Sequence, residues 1–253
     1  MSDLLSLLSF GPEGWGDEIL AGTWLTIRLA LATLPFGLAL GFFVALAKRS
    51  EAKWLRFIGE AYSTIFRGLP ELLTIFIVYF GASLGFQWVV GLFSDATVEI
   101  SGFVAGIIAL GVVFSAYASE VFAAAFNGIA KGQWEGASAV GLRRGQTMRL
   151  VIFPQLMRLA LPGLANLWLI LLKDTSLVSV ISINDLLRMT YQAVSYTKQP
   201  FFLYFVACMI YLVMSIVSSF GISAIERWAE RGERQRTATP RAHAVPAPNA
   251  AAP

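Results

Sequence analysis

The sequence predicts an all-α, polytopic membrane protein: five transmembrane helices, with a short extra helix on the cytoplasmic side between the third and fourth. Three observations carry this expectation. The 253 residues are 57% hydrophobic and 14% charged, whereas a soluble domain is about half apolar and about a quarter charged. Five segments reach the roughly 20 mostly apolar residues that a spanning helix needs. Lysine and arginine gather in alternate links, as they do when a chain keeps its basic loops in the cytoplasm.

Residues 1–18 are expected to form an N-terminal lead on the periplasmic side. Its "MSDLLSLLSF" has no basic stretch and no small-residue cleavage site, so it does not read as a signal peptide. The first span covers about residues 19–46, where Pro35, Gly37 and Gly41 predict a kink and close helix packing. The second covers about 57–82, interrupted by Gly68 and Pro70; the third about 101–127; the fourth about 150–172; the fifth about 201–225. The link after the first span holds Lys48, Arg49, Lys53 and Arg56. The link after the third holds Lys131, Arg143, Arg144 and Arg149. Arg227, Arg231, Arg234, Arg236 and Arg241 follow the fifth. Against these thirteen, the other side carries only Lys173, Arg188 and Lys198, all in the fourth link. The N-terminus is therefore expected outside and the C-terminus in the cytoplasm. Within the fourth link, "TSLVSVISINDLL" is apolar enough to re-enter the membrane. Trp15, Trp24, Trp54 and Trp88 suit the interfacial belt. The membrane domain is expected over 19–227. Residues 228–253, ending in "TATPRAHAVPAPNAAAP", are expected to form a disordered cytoplasmic tail.

Several chemistries are excluded early. One cysteine, Cys208, and one histidine, His243, leave no disulfide framework, no thiolate metal cluster and nothing for a histidine-based triad. No metal and no bound cofactor are expected. No G-x-x-x-x-G-K-[ST] phosphate loop occurs, so the chain is not expected to hydrolyse ATP or to be an enzyme.

The cytoplasmic link over 128–149 is the most particular stretch. "GQWEGASAV" predicts a short helix with Glu135 in its first turn, at the positive end of the dipole. Trp134, Ala137 and Val140 recur every third residue and should form one narrow apolar edge. Gly141 supplies a stop, because glycine accepts the left-handed conformation at a helix C-terminus. "LRRGQTMRL" restarts the chain, and Pro154 allows a bend as the fourth span begins.

Glu135, Ala137 and Gly141, followed after nine residues by Val151, Phe153 and Pro154, resemble the EAA loop of bacterial ABC-type import permeases. Gly136 stands where a second alanine is usual, and Phe153 where leucine is usual. "RGLPELLTIFIVYFG" from Arg67, "AYASEVF" with "GIAKGQWEGA", and "LLKDTSLVSVISINDLL" from Leu171 are similar to stretches of the polar amino-acid uptake permeases, of histidine/lysine/arginine or opine type. One departure is Ala123, where that family often has arginine. The resemblance implies a type I importer permease whose coupling helix docks in a groove of a separate ATPase. Glu135, Gly136, Ala137, Gly141, Arg143, Arg144 and Pro154 would form that junction. It also implies a second permease subunit, identical or paralogous, two ATPase subunits that use ATP and Mg, and a periplasmic solute-binding protein. No nucleic acid is implied. The location would be the bacterial inner membrane.

Charges inside spans are costly and must face protein or water. Arg67 and Glu71 would pair on an unbroken helix. Across a break they read either as a substrate path or gate, or as a structural ion pair at the kink. Glu120 reads as path lining or as an inter-helix hydrogen bond. Lys173, Asp174, Thr175 and Ser176 read as pore or subunit interface, or as an interfacial cap. Arg28 and Arg158 carry no assigned role. Rival functions are an ion-gradient-driven secondary carrier or channel, with Glu71, Glu120 and Asp174 as ion ligands, and a non-transporting scaffold or receptor.

Overall fold

A computed structural model describes residues 2–11, 14–92, 101–181 and 183–237. Five of its helices are long and apolar enough to cross a membrane. A short α1 (Ser2–Ser6) precedes α2 (Gly16–Lys48), the first span. The second span differs from its expected bounds. Two helices occupy it, α3 (Lys53–Gly68) and α4 (Glu71–Gly91), and only α4 is a candidate span. Pro70 has no N–H to continue the ladder and pushes Leu69 out of helical geometry, to φ −91°, ψ 150°. A hydropathy window averages across this break. On α3, Trp54, Ile58 and Ile65 form one exposed apolar stripe, while Gly59 and Ser63 are buried on the opposite face.

The third span, α5 (Gly102–Gly128), is the central post, packed by α2, α3, α4 and α8 (Phe153–Asp174). Small residues let α2 and α5 approach closely. A Cβ on Gly41 would lie 2.8 Å from the carbonyl oxygen of Ser115 and 2.8 Å from the Cβ of Ala118. One on Gly37 would lie 2.5 Å from the Phe114 ring. Phe42 fills the next layer, edge-on to Phe122 at 5.5 Å and to Phe153 at 5.8 Å.

Between α5 and α8 the chain forms α6 (Lys131–Ala139), a single turn α7 (Arg144–Gln146) and a π-helical stretch, Thr147–Ile152. The wider π turn leads directly into Pro154, whose ring would crowd the carbonyl four residues back in a tight α-helix. After α8 the apolar "TSLVSVI" is a 3-10 helix, Thr175–Ile181. Val178, Ile181 and Ile183 are buried in the main core, so this part of the fourth link is inside the protein. The link also contains α9 (Leu186–Thr197), which the sequence reading did not expect. Asp185 caps it, accepting from Arg188 N at 3.0 Å, and Leu186 N donates to Thr26 Oγ1 on α2 at 3.1 Å. Gly22 of α2 makes room, since a Cβ there would sit 2.9 Å from the carbonyl of Asp185.

The last helix, α10 (Pro200–Thr237), includes the fifth span and continues past residue 227. The expected tail from 238 onward, and residues 93–100 of the second link, lie outside the described residues. Lys48 bonds Glu120 and Arg49 bonds Asn127, which brings the C-terminal ends of α2 and α5 together. Met157 of α8 and Ile225 of α10 line one groove with Leu38 of α2. The basic stretches after the first, third and fifth spans thus begin at the same end of the bundle.

Candidate functional site

Two constellations emerge. The first is α6 and its exit, at the basic end. Ala137 is 5% exposed and Trp134 packs against the main core, which anchors the helix from below. Glu135, Gly136, Gly141, Arg143, Arg144 and Pro154 are all exposed. Two details correct the sequence reading. Because α6 starts at Lys131, its first turn contains no acid and Glu135 stands beyond it. Val140, 74% exposed, leaves the inner edge because a three-residue spacing drifts around a helix of 3.6 residues per turn. Gly141 is the left-handed stop, at φ +78°. Gly141 N donates to Ser138 O at 3.0 Å and Leu142 N to Ala137 O at 3.1 Å, the paired bonds of a Schellman motif. Gln146 Oε1 accepts from Arg143 N at 3.0 Å and starts the next turn. Beside α6 lies a crevice of about 420 Å³ lined by Arg49, Phe126, Asn127, Lys131, Trp134 and Glu135. Arg49 sits 4.9 Å over the Phe126 ring and donates to Asn127 Oδ1 at 2.9 Å.

The second constellation surrounds the break between α3 and α4. Arg67 does not pair with Glu71. Gly68 and Pro70 separate them, and Arg67 Nη1 instead meets Glu120 Oε1 at 2.8 Å. Lys48 Nζ reaches the same oxygen at 2.7 Å and lies 3.2 Å from Ser63 Oγ. Glu71 Oε1 accepts from Tyr117 Oη at 2.9 Å, and the Tyr117 ring lies 5.8 Å beneath the Arg67 guanidinium. Glu71 and Asp174 line a gap of about 10 Å³ with Tyr117, room for about one water. Lys173, Thr175 and Ser176 do not line it: Lys173 is exposed, and Thr175 is buried and donates to Leu172 O at 2.8 Å.

The sequence reading missed Lys48 and Tyr117 as members of this group. Lys48 was only a topological charge, and nothing local points from it to a carboxylate in another span. Tyr117, three residues before Glu120 on a polar helix edge, was the one available signal. Arg28, left without a role, lies 5.7 Å over the Phe103 ring. No group of three or more metal-ligating side chains occurs among the described residues.

Asp185 belongs to neither constellation. It is fully buried between the fourth and fifth spans. Burial raises its carboxyl to about 6, although backbone N–H groups of Arg188 and Leu187 and the Arg188 charge oppose the rise.

A bundle of five spans, split at one of them around an ion network and topped by an exposed, capped helix, defines an integral membrane permease component. The chain belongs to the family of binding-protein-dependent transport system inner membrane components, whose family model matches residues 37–231. It is 41% identical over 234 residues to the nopaline transport system permease protein NocQ of Agrobacterium fabrum, covering 92% of this chain and 99% of that one. It is 38% identical over 224 residues to the arginine ABC transporter permease protein ArtQ of Escherichia coli, covering 83% and 94%. Among solved structures it resembles an amino acid ABC transporter crystallised with histidines, with TM-score 0.71 and 31% identity, over 84% of this chain and 94% of the other. The protein is therefore a multi-pass inner-membrane permease subunit of an ABC importer. It is not an enzyme: the ATPase is a separate subunit, and a solute-binding protein completes the system.

Proposed function

We propose that this subunit imports a basic amino acid or an opine, as one half of a permease pair. The pair, identical or paralogous, encloses a path between two sets of five helices and sits on two ATPase subunits, which hold the ATP and Mg. The N-terminus faces the periplasm and the C-terminus the cytoplasm, so the exposed α6 meets the ATPases and the opposite end meets the loaded binding protein. The relatives that handle nopaline and arginine support the cargo class. The carrying observation is α6 itself: a helix anchored by Ala137 and Trp134, with Glu135 and Gly136 uncovered, in the connection between α5 and α8. A push on it moves both spans. Nucleotide at one end and binding protein at the other bias a two-state equilibrium. Cargo passes the break between α3 and α4, along Arg67, Glu71, Glu120 and Asp174; Lys173, Thr175 and Ser176 continue the path or face the second subunit.

Reconstituting the full complex in proteoliposomes tests this. Glu135→Lys should leave membrane insertion and assembly intact and uncouple ATP hydrolysis from uptake. Normal ATP-driven uptake by that variant would refute the docking role of α6. Screening amino acids for binding-protein-stimulated ATPase activity identifies the cargo. Gradient-driven uptake by the permease without an ATPase would favour a secondary carrier instead.

A further inference from the structure

We propose that Arg67 is a carboxylate clamp on the transport path, exchanging Glu120 for the carboxylate of a passing amino acid while Lys48 keeps Glu120 paired. This rests on the amino-acid cargo proposed above. Lys48 and Arg67 share a single oxygen, Glu120 Oε1, at 2.7 and 2.8 Å. One carboxylate thus holds two cations, and the trio has a surplus positive charge. The two partners are unequal. The Lys48 side chain is 14% exposed and lies against Ser63, whereas Arg67 is 43% exposed at the last turn of α3, one residue before the chain breaks. A half-exposed ion pair contributes little and is readily given up. Arg67 uses one guanidinium nitrogen on Glu120, and its fork of five donors can take a second carboxylate in parallel. The exchange conserves charge: the neutral Lys48–Glu120 pair stays behind, and Arg67 moves from an internal carboxylate to an external one.

Tyr117 sets the other end of the cargo. Its ring lies under Arg67 and its hydroxyl bonds Glu71, which faces Asp174 across the small gap. A carboxylate acceptor, a ring and two acids follow in order, a sequence of charges complementary to an α-amino acid with a cationic side chain. The gap admits about one water. Cargo entry therefore requires α4 to shift at Gly68–Leu69–Pro70, beside Arg67.

The test measures equilibrium binding of L-arginine and of its decarboxylated counterpart agmatine to the complete permease–ATPase complex, without the binding protein. Arg67→Ala should weaken L-arginine about tenfold or more and agmatine by no more than about twofold. Glu120→Gln removes the internal competitor and should tighten L-arginine. Lys48→Met leaves Arg67 as the one cation of the trio on Glu120 and should weaken L-arginine binding. Arg67→Lys, which keeps a charge but no fork, should fall between wild type and Arg67→Ala, and it decides the matter if Glu120→Gln fails to assemble. Equal losses for both ligands in Arg67→Ala, or weaker L-arginine binding in an assembled Glu120→Gln complex, overturn the exchange. A wild-type complex that hydrolyses ATP but binds none of L-arginine, L-lysine, L-histidine, nopaline and octopine overturns the cargo class, and the clamp with it.

Discussion

Gly141 gives the sharpest handle on how the exposed helix is built. Its φ of +78° is in the left-handed region, and a Cβ there would meet no atom within 4 Å. The cost of a side chain is therefore conformational, not steric. For alanine the left-handed conformation costs about 1–2 kcal/mol; asparagine tolerates it better, and valine worse. A backbone that relaxed to escape this strain would give up the bonds from Gly141 N and Leu142 N, each contributing about 1 kcal/mol. Local destabilisation thus has a ceiling of about 2 kcal/mol, roughly a thirtyfold rise in opening of the last turn of α6. Gly136 is the control: it has the same open surroundings but sits inside the helix at an ordinary φ, so Gly136→Ala should stabilise α6 by about 0.5–1 kcal/mol. Hydrogen exchange on the purified complex reads the amides of 137–142 directly, and uptake per ATP hydrolysed reads the consequence. The expected order of protection is wild type, Gly141→Asn, Gly141→Ala, Gly141→Val, with coupling falling in step. Equal effects of alanine at 136 and 141, or valine tolerated as well as asparagine, would refute the assignment of Gly141 as a conformational stop.

The α2–α5 contact makes a steric prediction. Gly41→Ala forces a Cβ against a backbone carbonyl and should destabilise the subunit by about 1–3 kcal/mol, whereas Gly81→Ala, which meets nothing, should not; melting of the detergent-purified complex compares them. Asp185 makes a pH prediction. With its carboxyl raised from 3.8 to about 6, the folded state binds the proton more tightly than the unfolded state, so stability should grow as pH falls through 6 and level off below 3.8. Between pH 7 and pH 5 this amounts to about 1.3 kcal/mol. Asp185→Asn keeps the cap and should lose that dependence. Arg188 and Tyr211 also face this carboxyl, so the difference between wild type and variant is the quantity to read; wild type losing stability relative to the variant on acidification would contradict the buried-acid argument.

The sequence showed what depends on neighbours along the chain and missed what depends on neighbours in space. Five apolar runs and the Gly141 stop are local properties, and the described residues bear them out in five candidate spans and a left-handed glycine. The split of the second span was half visible. Gly68 and Pro70 announced a break, but α3 is still apolar on one stripe, so hydropathy merged it with α4. Helix α9 escaped because its start is fixed by a partner distant in the chain: Leu186 N donates to Thr26 Oγ1, 160 positions away. Partners of buried or half-buried charges are the least legible. The i, i+4 rule pairs Arg67 with Glu71, yet one proline removes the helix on which that rule operates, and Arg67 turns to an acid in α5.

That failure points to the break between α3 and α4. A continuous second span would have let Arg67 and Glu71 neutralise each other, leaving Glu120 to Lys48 alone and Tyr117 without an acceptor. The break at Gly68–Leu69–Pro70 instead pulls the two charges apart, ties the cation to α2 and α5 through Glu120, and ties the anion to α5 through Tyr117. Both ends of the break are thereby pinned to the same post that continues into α6. Any rocking of α5 driven from α6 would load the Arg67–Glu120 and Glu71–Tyr117 contacts, on either side of the break between α3 and α4. Removing the break should separate coupling from transport: Pro70→Ala would let α3 and α4 join, restore the Arg67–Glu71 pair, and preserve ATP hydrolysis while uptake falls. Uptake unchanged in an assembled Pro70→Ala complex would show that the break is a packing detail and not part of the path.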